Sequence, residues 1–296
     1  MKMKRIFSIL SFASLMFFVF SGCSKHEIKY MTDDVKDDVA EVKIFNYINS
    51  TSTASVLFKN GTLNNSSVVT SSYTLAQWGS RPSSSGMYYT LEVGSATLNL
   101  FKTADGTTPD LTATFNLTSG KTDVYLVSYN LPPVLVSSGY PLGYGTNTNA
   151  VSTYVRFLNL LMESADVPYS GKLQYQWALI PKTLPRTAAS VTEWNNVGSP
   201  VAYGEATDWT AIDISNFMDY WGNPGTTISS GYCHVEFRIL TEDGSVLKVM
   251  GSTGAYADYF DYWSCSAGRH ATHVEKGIRT VKTTGLRSGV ALNYAQ

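Results

Sequence analysis

The sequence predicts an all-β chain of two tandem β-sandwich domains, the second carrying large insertions. Three observations predict it. First, short runs of alternating apolar and polar residues are separated by Gly, Asn and Asp turns, the pattern of half-buried strands. Second, charged residues make up only 15% of the 296 positions and aromatics 13%, while Ser, Thr and Gly abound, a profile that suits exposed β structure. Third, Val42-Lys43-Ile44-Phe45-Asn46-Tyr47-Ile48 and Val155-Arg156-Phe157-Leu158-Asn159-Leu160-Leu161 share one order of residue types, 113 positions apart. Each run begins its half of the chain, so the pair reads as a tandem repeat of one module.

The N-terminus precedes any fold. Lys2, Lys4 and Arg5 form a basic start, Ile6 to Phe20 is uncharged and largely apolar, and Ser21-Gly22-Cys23 follows. That layout is a secretory leader, and the apolar stretch is shorter than the ~20 residues a spanning helix needs. The segment resembles a bacterial lipoprotein signal, with Phe20 where Leu or Val is more usual. The resemblance implies cleavage before Cys23, a lipid on its sulfur and membrane attachment. Neither Ser24 nor Lys25 is an Asp, which favours the outer membrane. Residues 1–22 are therefore the expected signal peptide. Residues 23–40 are a polar tether whose Asp33-Asp34 and Asp37-Asp38 read as a solvated spacer.

Loss of Lys2, Lys4 and Arg5 leaves 19 bases against 23 acids, a formal charge of −4. No basic stripe remains, so nucleic acid is not an expected partner.

The first domain is expected over 41–133. Its strands are Val42–Ile48, Ala54–Phe58, Met87–Val93, Ala96–Phe101, Leu111–Leu117 and Asp123–Tyr129. Turns are expected at Asn60-Gly61, Gly94-Ser95 and Asp105-Gly106, the middle one closing a hairpin. Pro132-Pro133 ends the domain, and 134–152 reads as a linker. The second domain, 153–296, offers strands at Tyr154–Leu161, Leu173–Ile180, His234–Leu240, Val246–Met250, Ile278–Lys282 and Val290–Tyr294. A short helix is expected at Asp213–Tyr220.

Taken together, the opening strand Val-x-Ile/Phe-x-Asn, Lys59-Asn60-Gly61, Tyr89-Thr90-Leu91-Glu92-Val93 and Ser119 to Tyr125 resemble a module of bacterial surface lipoproteins, the domain of unknown function 4397 family. The resemblance covers roughly 41–130 and, more loosely, 153–250. It departs from the family at Ala54–Phe58, where an acidic-aromatic pattern is more usual. It implies immunoglobulin-like sandwiches in tandem, a Bacteroidota-like source and no catalytic residues to transfer.

Three groups of residues carry candidate chemistry. Tyr256, Asp258, Tyr259, Phe260, Asp261, Tyr262 and Trp263, with Tyr220 and Trp221, combine rings that pack on sugar faces with carboxylates that bind hydroxyls. The competing reading places alternate aromatics in the core. Cys233 and Cys265 are the pair left once Cys23 carries lipid. They read as one disulfide in an oxidising compartment or as two reduced buried thiols. His234, His270 and His273 lie near those cysteines, but the spacing fits no compact zinc pattern, so no metal and no cofactor are expected. There is no nucleophile elbow, no His-Glu-x-x-His and no phosphate loop. Ser245-Val246-Leu247-Lys248 lies in a strand, where Ser and Lys stand about 10 Å apart. The expectation is a non-catalytic, lipid-anchored envelope protein for binding or assembly, adhesin-like or glycan-associated. The alternatives are dedicated carbohydrate binding, a glycoside-active enzyme using carboxylates such as Asp258 and Asp261, or a structural subunit.

Overall fold

The computed structural model describes residues 39–48, 56–58, 73–75, 77–82, 87–102, 108–139, 152–179, 191, 193–214, 233–265, 268–283 and 286–295. Cys23, the leader, most of the tether, the turns at Asn60-Gly61 and Asp105-Gly106, Ser215–Tyr220 and Trp221 lie outside them. Among the described residues every regular element is a strand, and the sheets are open rather than closed into a barrel. No helix there is long and apolar enough to cross a membrane.

In chain order the first strands are β1 (Val39–Asn46), β2 (Val56–Phe58), β3 (Tyr73–Leu75), β4 (Ser80–Arg81), β5 (Tyr89–Glu92), β6 (Gly94–Phe101), β7 (Leu111–Leu117), β8 (Gly120–Leu126) and β9 (Val134–Ser137). They build one sheet of order β4-β1-β8-β9, with β5 also on β1, and a second of order β3-β2-β6-β7. The expected hairpin around Gly94-Ser95 does not form. β5 pairs with β1 while β6 pairs with β7 and β2. Gly94, at φ 118, turns the chain from one sheet into the other, a backbone conformation that only glycine adopts readily. Val134–Ser137, in the stretch read as linker, is strand β9 on the edge of the first sheet.

The later strands are β10 (Ser152–Asn159), β11 (Met162–Ser164), β12 (Val167–Pro168), β13 (Gln174–Leu179), β14 (Asn195–Asn196), β15 (Thr210–Asp213), β16 (Cys233–Leu240), β17 (Lys248–Met250), β18 (Tyr256–Asp258), β19 (Phe260–Cys265), β20 (His270–Lys276) and β21 (Gly289–Ala295). Two four-stranded sheets result, β15-β10-β20-β21 and β14-β13-β16-β19. Asp213, placed in a helix by the sequence reading, lies in strand β15. Ile278–Lys282 is a turn rather than a strand, with Ile278 bridging Met162 and Arg287. β17 takes β18 as its partner, and only Val246 bridges back to β16 at Leu240.

The repeated opening motif occupies equivalent places. β1 runs parallel to β8, and β10 runs parallel to β20. The two opening strands have the same sequence of burial, residue for residue. Each ends on an Asn whose side-chain oxygen accepts the amide two residues on: Ile48 from Asn46, and Leu161 from Asn159, both at 3.1 Å. Each Asn backbone also closes on a returning segment. Trp78 donates to the Asn46 carbonyl and Gly204 to that of Asn159, both at 2.8 Å. These two partners both hold left-handed backbone, at φ 61 and 82.

Three cores follow from strand alternation. Ala40, Val42, Ile44, Val124 and Leu126 face Ala96, Leu98, Leu100 and Leu117 of β6 and β7. Val155, Phe157 and Ala271 face Tyr175, Val235, Phe237, Tyr259 and Trp263 of β13, β16 and β19. The opposite faces of β1, β8, β10 and β20 meet each other. Phe45, Tyr47, Tyr125 and Val127 pack with Leu158, Leu160, Met162, Val274 and Ile278. The four strands are thus covered on both sides, and the opening pair, β1 and β10, accordingly read as largely apolar runs broken by one base and a closing Asn. Residues 38–296 accordingly cluster as one unit.

Candidate functional site

The expected aromatic run divides by alternation. Trp263 is 1% exposed and Tyr259 7%, and both face the core. Tyr256, Phe260 and Tyr262 are 47%, 45% and 44% exposed. The two carboxylates serve separate partners. Asp258 is ion-paired to Lys248 at 2.6 Å. Asp261 accepts the Tyr259 hydroxyl at 3.1 Å and the Tyr262 amide at 2.7 Å, and burial raises its pKa. Trp263 donates its indole N–H to the Tyr294 hydroxyl at 3.2 Å.

Phe260 and Tyr262 belong to a built surface that the run alone does not reveal. On the outer face of the sheet, the register aligns Asn196, Gln176, Arg238 and Phe260 across β14, β13, β16 and β19. Gln176 donates to Asn196 at 2.8 Å, and the Arg238 Nε donates to Gln176 at 2.7 Å. The guanidinium lies over the Trp194 ring, 4.4 Å from its centre, a cation–π contact. The Trp194 and Phe260 ring centres are 6.2 Å apart. Glu236 and Tyr262 form the next row. Side chains locked in this way present rings, an amide ladder and an oriented guanidinium. The signal for Gln176 and Arg238 was their outward parity in otherwise apolar alternating strands. Trp194 had no periodic context.

The second cluster sits where the two parallel-paired sheets meet. The repeated bases, Lys43 and Arg156, are 6% and 5% exposed and line one cavity of about 220 Å³ with Asp123, Tyr88, Thr272 and Asn293. Arg156 donates from Nε to Thr272 at 2.8 Å, reaches the Ser137 carbonyl, and lies 3.6 Å from Asp123. Asp123 also accepts the Tyr88 hydroxyl at 3.3 Å. Burial pushes its pKa up to about 6, against the pull of Arg156, Tyr88 and Lys43. Burial lowers the pKa of Lys43, and Asp123 opposes that.

His270 and His273 are buried. His273 contacts the Tyr175 hydroxyl through Nδ1 at 3.1 Å and meets the rings of Tyr175, Phe237 and Trp263 edge-on. Burial lowers its pKa to about 3. His270 stacks on Tyr154 with ring centres 4.5 Å apart. Among the described residues no three His, Cys, Asp or Glu side chains gather as metal ligands. Cys265 is buried, and the register sets it directly opposite Cys233.

No family model matches the chain, that of the domain of unknown function 4397 included, and no curated protein matches it. Among solved structures it is similar to a leucine-rich repeat protein from Bacteroides thetaiotaomicron, at 11% identity and a TM-score of 0.19. The match covers 79% of this chain and 25% of that one, so the chain spans a quarter of that protein's length. It is also similar to a candidate cell adhesion protein from Bacteroides ovatus, at 9% identity and a TM-score of 0.23, covering 87% of this chain and 95% of that one.

Proposed function

We propose that this chain is a non-catalytic envelope protein, lipid-anchored through Cys23 at the outer membrane, built from two immunoglobulin-like sandwich modules, and that it binds glycan on the outer face of the β14-β13-β16-β19 sheet. The Trp194–Arg238–Gln176–Asn196 ladder, with Phe260 and Tyr262 exposed beside it, carries this reading. Rings stack on the apolar faces of sugars, and fixed amide and guanidinium groups select hydroxyl positions. The separate engagement of Asp258 and Asp261 favours binding over glycoside hydrolysis, which needs two carboxylates facing one bond. The repeated opening strands and their equivalent partners support the two-module reading.

The reading is tested on a glycan array with the folded protein. Phe260→Ala and Tyr262→Ala together abolish the signal if it is right, and an unchanged signal overturns it. Within the same reading Cys233 and Cys265 form a cross-strand disulfide. Their directly opposed positions support it, since opposed antiparallel residues fall within disulfide reach. A thiol count on denatured protein checks this: no titratable thiol from either residue is expected.

A further inference from the structure

A second pocket, of about 430 Å³ and open to solvent, lies at the β16 end of the β14-β13-β16-β19 sheet. Register ties it to the outer face of that sheet. Alternation puts Arg238 and Leu240 on one side of β16, Leu240 bridges Val246, and Val246 lines the pocket. Lys248, also in the lining, pairs in register with Asp258, which stands just before the exposed Phe260. The pocket continues the surface that carries Phe260.

Its cations are already matched. Lys248 is ion-paired to Asp258 at 2.6 Å. Arg279 meets Glu163 through two bonds, from Nε at 2.7 Å and from Nη2 at 2.6 Å, and donates from Nη1 to the Lys248 carbonyl at 3.3 Å. Neither calls for an anion. Two further carboxylates come from the turn after β16. Asp243 closes that turn, accepting the Thr241 hydroxyl at 2.5 Å, the Ser245 hydroxyl at 2.7 Å and the Ser245 amide at 3.1 Å. All three bonds fall on Oδ1. Glu242 is exposed and engages no ion pair or hydrogen bond among the described residues. The aromatic wall is Tyr169. Its ring lies close over the Gly171 backbone, where a Cβ would stand 2.9 Å from Cε1, and the Arg279 guanidinium is 5.9 Å from its centre. Glu163, Asp243 and Glu242 all act electrostatically on its hydroxyl, so ring and carboxylates share one space.

A volume near 430 Å³ falls in the ~300–1,000 Å³ range of small-molecule sites. Carboxylate oxygens left uncommitted beside a ring suit a ligand that donates hydroxyls, and they repel an anion. We infer that this pocket is a second saccharide subsite for a neutral hexopyranose unit, an apolar sugar face lying on the Tyr169 ring and its hydroxyls donating to Glu242. The inference rests on the glycan reading and deepens it, adding a second point of contact and fixing the charge class of the ligand.

The test is a glycan array of neutral and uronate-bearing oligosaccharides, probed with the purified full chain. Neutral glycans are expected to bind about tenfold more strongly than uronate-bearing ones. Tyr169→Ala weakens the neutral signal about tenfold, the loss of one stacked ring. Glu242→Ala, at an exposed side chain the fold does not engage, weakens it about tenfold as well and decides the matter if Tyr169→Ala fails to fold. An unchanged signal in either folded variant, beside a loss in Phe260→Ala with Tyr262→Ala, overturns the subsite and leaves the outer-face reading standing. Loss in the Tyr169 and Glu242 variants alone overturns the outer-face reading and leaves the subsite. Uronate-bearing glycans that bind as well as neutral ones overturn the subsite, and no signal from the unsubstituted protein overturns both.

Discussion

The two opening strands are built on one plan and differ at one charge. β1 and β10 share residue order, burial, a closing Asn and a parallel neighbour. β1 carries a Lys facing an Asp across its parallel ladder, whereas β10 carries an Arg facing a Thr. Arg156 reaches over the seam to the Asp of the other repeat, so one acid serves two bases. The shared features are apolar residues on each side, which a strand buried on both faces needs, and a terminal Asn whose side chain satisfies the turning backbone. The difference lies where the two copies touch. A second contrast sits beside it. Gly204 takes left-handed backbone at little cost, while Trp78 takes it with a bulky side chain, which costs roughly 1–2 kcal/mol. Trp78 packs at a tilt against Tyr47, ring centres 5.5 Å apart, and carries the Lys276 ammonium 3.6 Å from its ring centre, contacts that offset the strain.

The two bases are accordingly unequal. Arg156→Met leaves Asp123 buried without its strongest partner and costs about 3–5 kcal/mol at pH 8. Asp123 already titrates near 6 in the folded state, above its ordinary 3.8. Protonation relieves the uncompensated charge, so the deficit shrinks as pH falls through that value and below. Urea unfolding of the variant at pH 8 and pH 5 checks both statements. A loss independent of pH contradicts the account.

Another buried acid separates the repeats. At the β20 position paired with Asn159 stands Glu275, while Leu126 holds the matching place beside Asn46. Burial pushes Glu275 up to about 8 from 4.5, and it accepts from Ser288. A raised carboxylate favours the fold fully below 4.5, and that contribution is lost as pH rises through 8. Glu275→Gln removes this loss and stabilises the protein by roughly 1–3 kcal/mol at pH 9, with little change at pH 5. Thermal melts across that range read it directly.

Asn46→Ala and Asn159→Ala sharpen the likeness rather than the difference. Each removes the same side-chain-to-amide bond and costs about 1 kcal/mol, equal within about 0.5 kcal/mol. Lys43→Met is the smallest effect, within about 1 kcal/mol, because Asp123 keeps Arg156 and Tyr88. A Lys43→Met loss as large as that of Arg156→Met removes the asymmetry.

The sequence made some of this legible. Alternation located β7 and most of β6, β16 and β21, and the repeated motif marked both opening strands. It also offered the division of 256–263 into core and exposed rings as one of two readings. It did not show β20. His270-Ala271-Thr272-His273-Val274-Glu275-Lys276 looks polar, yet all but the last residue are buried, because one of its faces meets an aromatic core and the other meets the seam. Gly94 reads as a hairpin turn, whereas only the pairing of β5 with β1 shows that the chain changes sheets. Trp194 and Arg238 join through stacking across a sheet, which no spacing along the chain encodes. The cavity needs two copies of one motif face to face, and sequence similarity alone does not say which faces meet.

The central claim is that the repeated strands share one core across the seam. Tyr125 contributes to it from β8, stacked on Phe45 with ring centres 4.8 Å apart and accepting from Asn293 at 3.2 Å. Val274 contributes from β20 at the equivalent register position. Scanning calorimetry of the purified protein with Tyr125→Ala and with Val274→Ala tests it most directly. The account predicts one cooperative transition in each, lowered by about 2–4 °C per kcal/mol lost. Two separable transitions, with each substitution moving only one of them, would contradict it.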